Sequence, residues 1–339
     1  MSDKQYLITI SIPSYNRPIE IKRLLDSIDS KNPEKIQILI CEDKSPLRFE
    51  IRKAVVDYKL FSDYEVKYIE NEFNNGYDKN LRALIENADG EYLLFMGDDD
   101  VFIPEALDKL IGFIEQNKSV GYILRSYRNL YKNGEVEYFK YYDENKLFQP
   151  CIKTYTELFL KSVFISGFTI KREYIVNLST DKLDGTLLYQ LYLVAEVCMK
   201  YPSAYFNTPL TQAISGGIPY FGSSESEKGL YETGRKSTND LKFIAGTFKV
   251  TKYLDEKHGI NTTVLIKKDL SKYSYPLMSN WRPSGFNFFQ NHCKGLVAIG
   301  LNNTIYFYIY YYGLLFLGKT KCDRIIRIIK MLLGRRPNL

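Results

Sequence analysis

The segment EYLLFMGDDD, residues 91–100, joins a buried strand to a polar loop. Its apolar run is typical of a strand covered on both faces, and it stops at three consecutive acids, Asp98, Asp99 and Asp100. Adjacent carboxylates repel one another unless a cation neutralises them, and Mg²⁺ or Mn²⁺ does so by sharing carboxylate and phosphate oxygens. Two interpretations follow. The triplet forms either a metal–diphosphate site at a strand end, or a solvated acidic turn that caps the helix expected from Ala106.

Three earlier segments repeat the layout of buried strand, polar loop and amphipathic helix. The expected strands are residues 6–13, 36–41, 64–69 and the run before the acid triplet, and the expected helices are residues 19–28, 50–60 and 77–88. This order predicts an α/β fold with a mostly parallel sheet flanked by helices on both faces. Ligands of such sheets bind beyond the carboxyl ends of the strands, where residues 14–17, 42–45 and 98–100 fall. We therefore expect the acids of these loops to converge on one edge, which favours the metal site.

Several kinds of site are not supported by the sequence. The first strand is followed by neither G-x-G-x-x-G nor G-x-x-x-x-G-K-[ST], which argues against a dinucleotide or P-loop phosphate cradle. The five cysteines are widely spaced and form no C-x-x-C pair, and with two histidines a zinc site is not expected. This pattern indicates free thiols in a reducing compartment. Because no cleavable leader is recognisable at the N-terminus, we expect the protein to reside in the cytoplasm.

The net charge of +6 is concentrated at the end of the chain. Residues 319–339 contain seven basic residues and one acid, so the remainder is neutral. A nucleic-acid binder with a broad basic face does not have this distribution, and we predict no nucleic-acid partner. A neutral body with a cationic end favours an acidic surface as partner.

The segment from 304 to 339 combines aromatic and basic residues. Residues 305–317 are apolar and aromatic, but these 13 residues fall short of the roughly 20 needed to span a bilayer. Beyond them, Arg324, Arg327 and Lys330 form a basic stripe at helical spacing beside isoleucines. This pattern predicts a helical extension that lies in the interface of an anionic membrane. The alternative is a helical hairpin packed on the rest of the protein or on a second subunit, which would make a homo-oligomer.

The middle of the chain carries weaker signals. We expect a hairpin around Asn133-Gly134, a strand over residues 164–170 and a strand near residues 204–210. The interruption of the first of these strands at Ser166-Gly167 indicates either a close backbone approach to a ligand or a simple bulge. Residues 214–218 form either a loop that closes over a ligand or a plain surface loop. Residues 225–258 and 262–295 are expected to be helical.

Four motifs in order resemble the family 2 glycosyltransferases of the GT-A fold. They are IPSYNR at 12–17, CEDKS at 41–45, NGYDKN at 75–80 and, within 89–100, DGEY and GDDD. The likeness covers residues 1–130. Further along, the surroundings of Ser166-Gly167 and the run at 185–197 are similar to O-antigen sugar transferases of the abequosyltransferase type.

The resemblance implies a nucleotide-sugar donor site. In the second loop Glu42 and Lys44 depart from the common Asp-Asp-Gly-Ser, so we expect Glu42 to matter less than Asp43. The resemblance places Pro13, Tyr15 and Asp43 around the nucleobase and ribose, with Arg17 near them. It places Lys79 and Asn80 near the nucleoside or sugar, and Asp98 and Asp99 toward the ribose and sugar. It also implies that Asp98 and Asp100 bind a Mg²⁺ or Mn²⁺ ion.

The catalytic base is predicted from the same resemblance, which places an acid near the start of a helix expected here at residues 186–200. The candidates are Asp181, Asp184 and Glu196, and we choose Asp184, which lies in the loop that leads into the helix. The alternative is that Asp184 caps the helix. Gln190 stands where relatives carry a titratable group.

The predicted activity is inverting transfer of a sugar, with a UDP-sugar favoured, to a lipid-linked saccharide in O-antigen or capsule polysaccharide synthesis. The enzyme would lie on the cytoplasmic face of a bacterial inner membrane. We assign residues 1–130 to donor binding and 131–222 to the acceptor side of one catalytic domain, followed by a helical extension at 223–339. One alternative is a sugar-nucleotide nucleotidyltransferase, although the loop at 14–17 lacks the expected glycines. A second is a non-catalytic membrane scaffold, against which the intact acid triplet argues.

Overall fold

The computed structural model describes residues 6–214, 224–234 and 236–332, and the chain divides into two compact units, residues 1–230 and 231–339. The predicted domain boundary at residues 222 and 223 lies outside the described residues. Each unit is described by itself.

The first unit is built on a mixed sheet that has ten strands within the described residues, in the order β3-β2-β1-β4-β9-β6-β10-β5, with β7 on β6 and β8 on β10. The strands are β1 Ile8–Ser14, β2 Ile36–Glu42, β3 Glu65–Glu70, β4 Tyr92–Phe95, β5 Val101–Phe102, β6 Tyr122–Leu130, β7 Val136–Phe139, β8 Lys146–Phe148, β9 Phe168–Lys171 and β10 Ser203–Ile214. The helices of this unit are α1 Pro18–Asp26, α2 Arg48–Phe61, α3 Tyr77–Asn87, α4 Ala106–Gln116, α5 Ile152–Phe159 and α6 Tyr189–Lys200.

The first four strands confirm the predicted alternation of strand and helix. β1 pairs in parallel with β2 and β4, and β2 pairs in parallel with β3. Ser14 lies opposite Glu42, so the first two strands end side by side. Ile21, Leu24 and Leu25 of α1 are buried, as their helical spacing predicts, and they join the core cluster that includes the isoleucines of β1 and β2. Polar loops are thereby brought to one edge of the sheet.

The second half of the first unit differs from the prediction at two places, the start of a strand and the start of a helix. The strand expected over 164–170 begins only at Phe168, and it runs antiparallel to β4 and β6. Gly167 has a φ of 84°, which takes the chain out of the extended conformation before β9. The helix expected from residue 186 begins at Tyr189, because Leu187 has a left-handed φ of 60°. The predicted hairpin is confirmed, since β6 and β7 are antiparallel on either side of Gly134.

The second unit is helical, and its helices are α7 Ser237–His258, α8 Thr263–Lys272, α9 Tyr275–Ser279, α10 Phe286–Ala298 and α11 Ile305–Leu332. The predicted helix over 262–295 is broken into three, because Pro276 lies in the first turn of α9 and Gly285 takes a φ of 106° before α10. The predicted helix over 225–258 begins only at Ser237. Gly318, with a φ of 72°, interrupts α11. Among the described residues, none of the helices combines the length and the apolar character that crossing a membrane requires.

Candidate functional site

The acid triplet lies in a turn directly after β4. Asp98 and Asp100 are buried, with 3% and 7% of their surface exposed, whereas the side chain of Asp99 is 37% exposed. Glu105 occupies the N-cap position of α4, and no side-chain cap hydrogen bond is formed there. The interpretation of the triplet as a solvated cap is therefore wrong for Asp98 and Asp100, which face the interior at the carboxyl edge of the sheet.

Arg17 joins the first loop to the triplet. Its Nη1 lies 2.7 Å from Oδ1 of Asp98, and its Nη2 lies 3.0 Å from Oδ2 of Asp99. The backbone N–H of Tyr15 donates to Oδ2 of Asp98 at 3.1 Å, so both oxygens of that carboxylate have a donor. Burial nevertheless raises the pKa of Asp98 to about 6, against the attraction of Arg17.

Asp100 has a different environment. Its Oδ2 accepts a hydrogen bond from the hydroxyl of Ser166, and the backbone N–H of Ile214 also donates to the carboxylate. Burial, followed by repulsion from Asp99, raises the pKa of Asp100 to about 7. Arg17 forms its ion pairs with the other two acids, and we find no ion pair to Asp100 in the part of the chain that the structure describes.

These environments discriminate between the two predicted metal ligands. Asp100 fits a divalent cation, because a buried carboxylate oxygen without an ionic partner is a hard ligand that lacks compensating charge. Asp98 fits less directly, since a metal would compete with Arg17 and with the N–H of Tyr15. In the described ranges, no cluster of three His, Cys, Asp or Glu side chains could hold a metal. Phosphate oxygens of a ligand would therefore have to complete the coordination of a cation at Asp100.

Asp43 organises the neighbouring loop at the end of β2. Its carboxylate accepts four hydrogen bonds, from Asn71 Nδ2 at 2.8 Å, Asn74 Nδ2 at 3.0 Å and the backbone N–H groups of Asn75 and Gly76 at 2.9 and 2.8 Å. Burial raises the pKa of Asp43, and these hydrogen bonds oppose that shift. Asp43 therefore fixes the loop that leads into α3.

The first two loops also meet directly. The backbone N–H of Asp43 donates to the carbonyl of Ser14 at 3.1 Å, which confirms that the loops after β1 and β2 converge. The fully buried Glu42 accepts from the N–H groups of Lys44 and Ser45 at 3.0 and 2.6 Å, and from Arg48. Lys44 takes a left-handed φ of 52° at the position where the common motif has glycine. The carboxylate of Glu42 is thus engaged within its own loop.

The other predicted donor residues lie around this edge. Pro13 is half-buried in β1, opposite Cys41 in β2. Asn80 is buried, and its Nδ2 donates to the carbonyl of Cys41 at 3.0 Å, so it fixes the end of β2. The side chain of Lys79 is 53% exposed, and its Nζ lies 4.0 Å from Asp184. The side chain of Lys79 is therefore more accessible to a ligand than that of Asn80.

Asp184, the predicted base, is paired with a cation. Arg82 donates to Oδ1 at 2.6 Å and to Oδ2 at 3.0 Å. The alternative role as helix cap is not supported, because α6 begins at Tyr189 and its N-cap position is Leu188. Asp181 is exposed, and the buried Glu196 pairs with a lysine at 2.8 Å. The assignment of the base to Asp184 stays a prediction.

The residue that holds the start of α6 is Asp78, which the sequence analysis did not identify. Its carboxylate accepts from the N–H groups of Leu187 and Tyr189 at 3.0 and 3.1 Å. Burial raises its pKa to about 6. Gln190 is buried close by, where its Nε2 donates to the carbonyl of Val163 at 3.0 Å. No sequence signal relates Asp78 to a loop more than a hundred positions away.

Comparisons with known proteins agree with the predicted family. Residues 9–173 match the model of "Glycosyl transferase family 2". An uncharacterised glycosyltransferase of Haemophilus influenzae is 31% identical over 117 residues, which are 34% of this chain and 37% of the relative. The match thus spans little more than a third of that relative's length.

Two further relatives have assigned activities. The UDP-Glc:α-D-GlcNAc-diphosphoundecaprenol β-1,3-glucosyltransferase WfgD of Escherichia coli is 25% identical over 183 residues, 51% of this chain and 69% of the relative. Abequosyltransferase RfbV of Salmonella typhimurium is 25% identical over 114 residues, 34% of each chain.

A solved structure shows the same fold. It is the mannosyltransferase PcManGT of Pyrobaculum calidifontis in complex with GDP-Man and Mn²⁺. The two structures superpose with a TM-score of 0.51 at 12% sequence identity, and the match covers 98% of this chain and 88% of the mannosyltransferase chain. Together with the four ordered motifs, the mixed sheet and its converging loops lead to one conclusion: this chain has the GT-A fold, and its residues 9–173 are similar to glycosyl transferase family 2.

Proposed function

We propose that this protein is an inverting glycosyltransferase that moves a sugar from a nucleotide-sugar donor, with a UDP-sugar favoured, to a hydroxyl of a lipid-linked saccharide. One observation supports this most strongly: two buried acids, Asp98 and Asp100, lie in the turn after β4, and Arg17, in the loop after β1, pairs with the first of them. Asp43 lies at the neighbouring strand end, where the nucleoside would bind.

Each end of the donor has residues suited to it. Tyr15 and Asp43, with Pro13 beside them, would contact the nucleoside. Mg²⁺ or Mn²⁺, when bound, neutralises charge on the leaving diphosphate, and Asp100 is the residue best placed to hold such an ion. Lys79 has a half-exposed side chain, and its ammonium group would face the donor's anionic groups.

The chemistry requires a base for the acceptor. The acceptor oxygen forms a bond to the anomeric carbon while the bond from that carbon to the diphosphate oxygen breaks, which inverts the configuration. The acceptor's proton passes to a carboxylate, for which Asp184 is proposed. The ion pair with Arg82 leaves lone pairs on both oxygens of Asp184, and it fixes the orientation of the carboxylate.

The acceptor class is supported by the relatives. The name of the Escherichia coli relative places its acceptor sugar on diphosphoundecaprenol, and a Campylobacter jejuni relative, 26% identical over 105 residues, is named for an undecaprenol-linked saccharide. We propose a lipid-linked saccharide for this chain on the same grounds. Such an acceptor lies at a membrane surface, and our proposal puts the enzyme on the cytoplasmic face.

A panel of nucleotide sugars tests the donor proposal by thermal shift, with and without Mn²⁺. We expect one nucleotide class to stabilise the wild type more strongly with metal, and Asp100→Ala to abolish both this increment and transfer while the fold survives. Asp26→Ala, which changes an exposed acid on α1, is the matched control and should behave as wild type. If no nucleotide stabilises the wild type with metal, the donor site is wrong. If the protein releases pyrophosphate from a nucleoside triphosphate and a sugar 1-phosphate, the nucleotidyltransferase alternative is favoured.

The surface of α11 supports membrane association. A stripe of side chains at helical spacing, each between 39% and 77% exposed, consists of Ile305, Tyr308, Ile309, Tyr312 and Phe316. The opposite side contributes buried side chains to the core cluster of the second unit. Exposed aliphatic and aromatic groups with this spacing suit the boundary between headgroups and acyl chains.

The second half of α11, beyond the break at Gly318, carries exposed apolar and basic side chains of its own. Ile325, Ile328 and Ile329 are each nearly half exposed, and Arg324 and Arg327 lie beside them in the helix. Each cation near an anionic leaflet contributes about 1 kcal/mol of attraction. We propose that residues 304–339 bind an anionic membrane surface. The basic residues at 335 and 336 lie outside the described residues.

Flotation with vesicles tests the membrane proposal. Deleting residues 304–339 would also remove buried core residues, so surface changes are sharper: Ile309→Ser with Phe316→Ser should abolish binding to vesicles that contain anionic lipid. Phe61→Ser, at a 90% exposed phenylalanine of α2, is the matched control. Unchanged flotation of the double variant would refute the proposal. A change from dimer to monomer instead would favour the oligomer alternative.

A further inference from the structure

Ser166 lies in the turn before β9 and forms hydrogen bonds with the loop that carries the acid triplet. Its side chain is fully buried. The backbone N–H of Gly97 donates to its Oγ at 3.1 Å, and its hydroxyl donates to Oδ2 of Asp100. Since the backbone N–H can only donate, the single hydroxyl proton is directed to the carboxylate. Ser166 therefore fixes the orientation of Asp100.

Neighbouring groups hold the backbone of Ser166 in place through hydrogen bonds. Its carbonyl accepts from Nε of Arg125 at 2.8 Å and from Oγ1 of Thr211 at 3.3 Å. A Cβ on Gly97 would lie 3.0 Å from Oγ of Ser166, and a Cβ on Gly167 would lie 3.1 Å from Cγ of Arg125. A side chain at either glycine would crowd this junction, and the positive φ of Gly167 disfavours any other residue there.

Arg125 is a fully buried arginine that the proposed chemistry does not otherwise use. It donates to the carbonyls of Ser166 and Phe164 at 2.8 and 2.6 Å, and its guanidinium lies 5.4 and 5.0 Å from the ring centres of Tyr127 and Phe164. Within the described ranges its Nη1 has no hydrogen-bond partner. Burying a charge in this way is costly. The bonds that Arg125 makes in return fix the turn that carries Ser166.

We propose that Ser166, held by Arg125, is a positioning residue that orients Asp100 toward a divalent cation. The inference rests on the proposed function, in which Asp100 holds that cation. Hydrogen-bond partners of metal-binding carboxylates fix the ligand geometry, and their loss typically weakens metal affinity by about 10- to 100-fold. Ser166→Ala should therefore raise the apparent Kd for Mn²⁺, measured with nucleotide present, by about 10-fold.

The test separates metal binding from nucleotide binding, using the full chain. Free Mn²⁺ is followed by electron paramagnetic resonance at saturating UDP, with GDP and CDP in parallel, and nucleotide binding in EDTA is followed by calorimetry. We expect Ser166→Ala to weaken Mn²⁺ binding and to leave the metal-free nucleotide affinity unchanged. Ser162→Ala is the matched control, because Ser162 is an equally buried serine with hydrogen bonds to Tyr122 and Leu158.

Three results would overturn the inference. A Kd for Mn²⁺ unchanged in Ser166→Ala refutes the positioning role, and an equal loss of metal-free nucleotide binding shows a merely structural one. If the wild type binds no Mn²⁺ with any of the three nucleotides, the proposed function fails and the inference falls with it. Should Ser166→Ala not fold, Thr211→Val decides, because it removes one hydrogen bond to the carbonyl of Ser166. An affinity for Mn²⁺ that is weaker by about 2- to 3-fold supports the role, and an unchanged affinity refutes it.

Discussion

Asp78 links the donor-side helix α3 to the loop that carries Asp184, and this contact makes the stability of the protein pH-dependent. Its buried carboxylate accepts the N–H groups of Leu187 and Tyr189 at 3.0 and 3.1 Å. Burial is the largest cause of its raised pKa, about 6 in the folded protein. The ordinary pKa of an aspartate is about 3.9, so folding takes up a proton between these two values.

The sign and the size of the effect follow from this shift. Below about pH 4 both states of Asp78 are protonated, and the shift has no effect on stability. As pH rises from about 4 to 6, the unfolded chain ionises first, so the wild type loses stability relative to Asp78→Asn. With a folded-state pKa of about 6, the wild type loses about 3 kcal/mol of unfolding free energy relative to the variant. This loss is complete above about pH 7.

Urea unfolding of the wild type and Asp78→Asn, followed by far-UV circular dichroism from pH 4.5 to 8, measures this difference. Circular dichroism is preferable to tryptophan fluorescence, because the single tryptophan, Trp281, lies in the second unit. Other carboxylates titrate in both proteins and cancel in the comparison. A difference in unfolding free energy that is independent of pH would refute the raised pKa of Asp78.

Three further changes have expected outcomes. Arg17→Met leaves the buried Asp98 without its ion pair and should lower the free energy of unfolding by about 3–5 kcal/mol. Urea unfolding measures this change, and an unchanged urea midpoint would contradict the role of Arg17. Asp184→Asn should reduce kcat at least about 100-fold while donor affinity measured by calorimetry stays the same, and retained turnover would remove Asp184 as the base. Gly90→Ala would bring a Cβ to 2.5 Å from a backbone nitrogen of β1 and should lower the free energy of unfolding by about 1–3 kcal/mol, whereas the control Gly112→Ala, with open space in α4, should be neutral or stabilising.

Local pattern was sufficient for the first half of the fold. The strands β1, β2 and β4 are buried along most of their length and are therefore rich in apolar residues. Each could be predicted as a strand from its own sequence, without information on its neighbours. Parallel strands must end at a common edge, and this placed Tyr15, Asp43 and Asp98 at one site before any contact was known. The resemblance to the glycosyltransferases rests on these same loops, and the family model confirms it.

The partners of the site residues depend on contacts between distant segments. Ser166 reaches Asp100 across 66 positions, and Asp78 reaches Tyr189 across 111. Hydrogen bonds of this kind leave no periodic pattern in the sequence, because each depends on how two loops meet in space. The same holds for the left-handed Leu187, which delays the start of α6. The order of the loops along one sheet edge could be read from the chain, whereas the packing of the folded molecule determines which acid pairs with arginine and which, among the described residues, has no ionic partner.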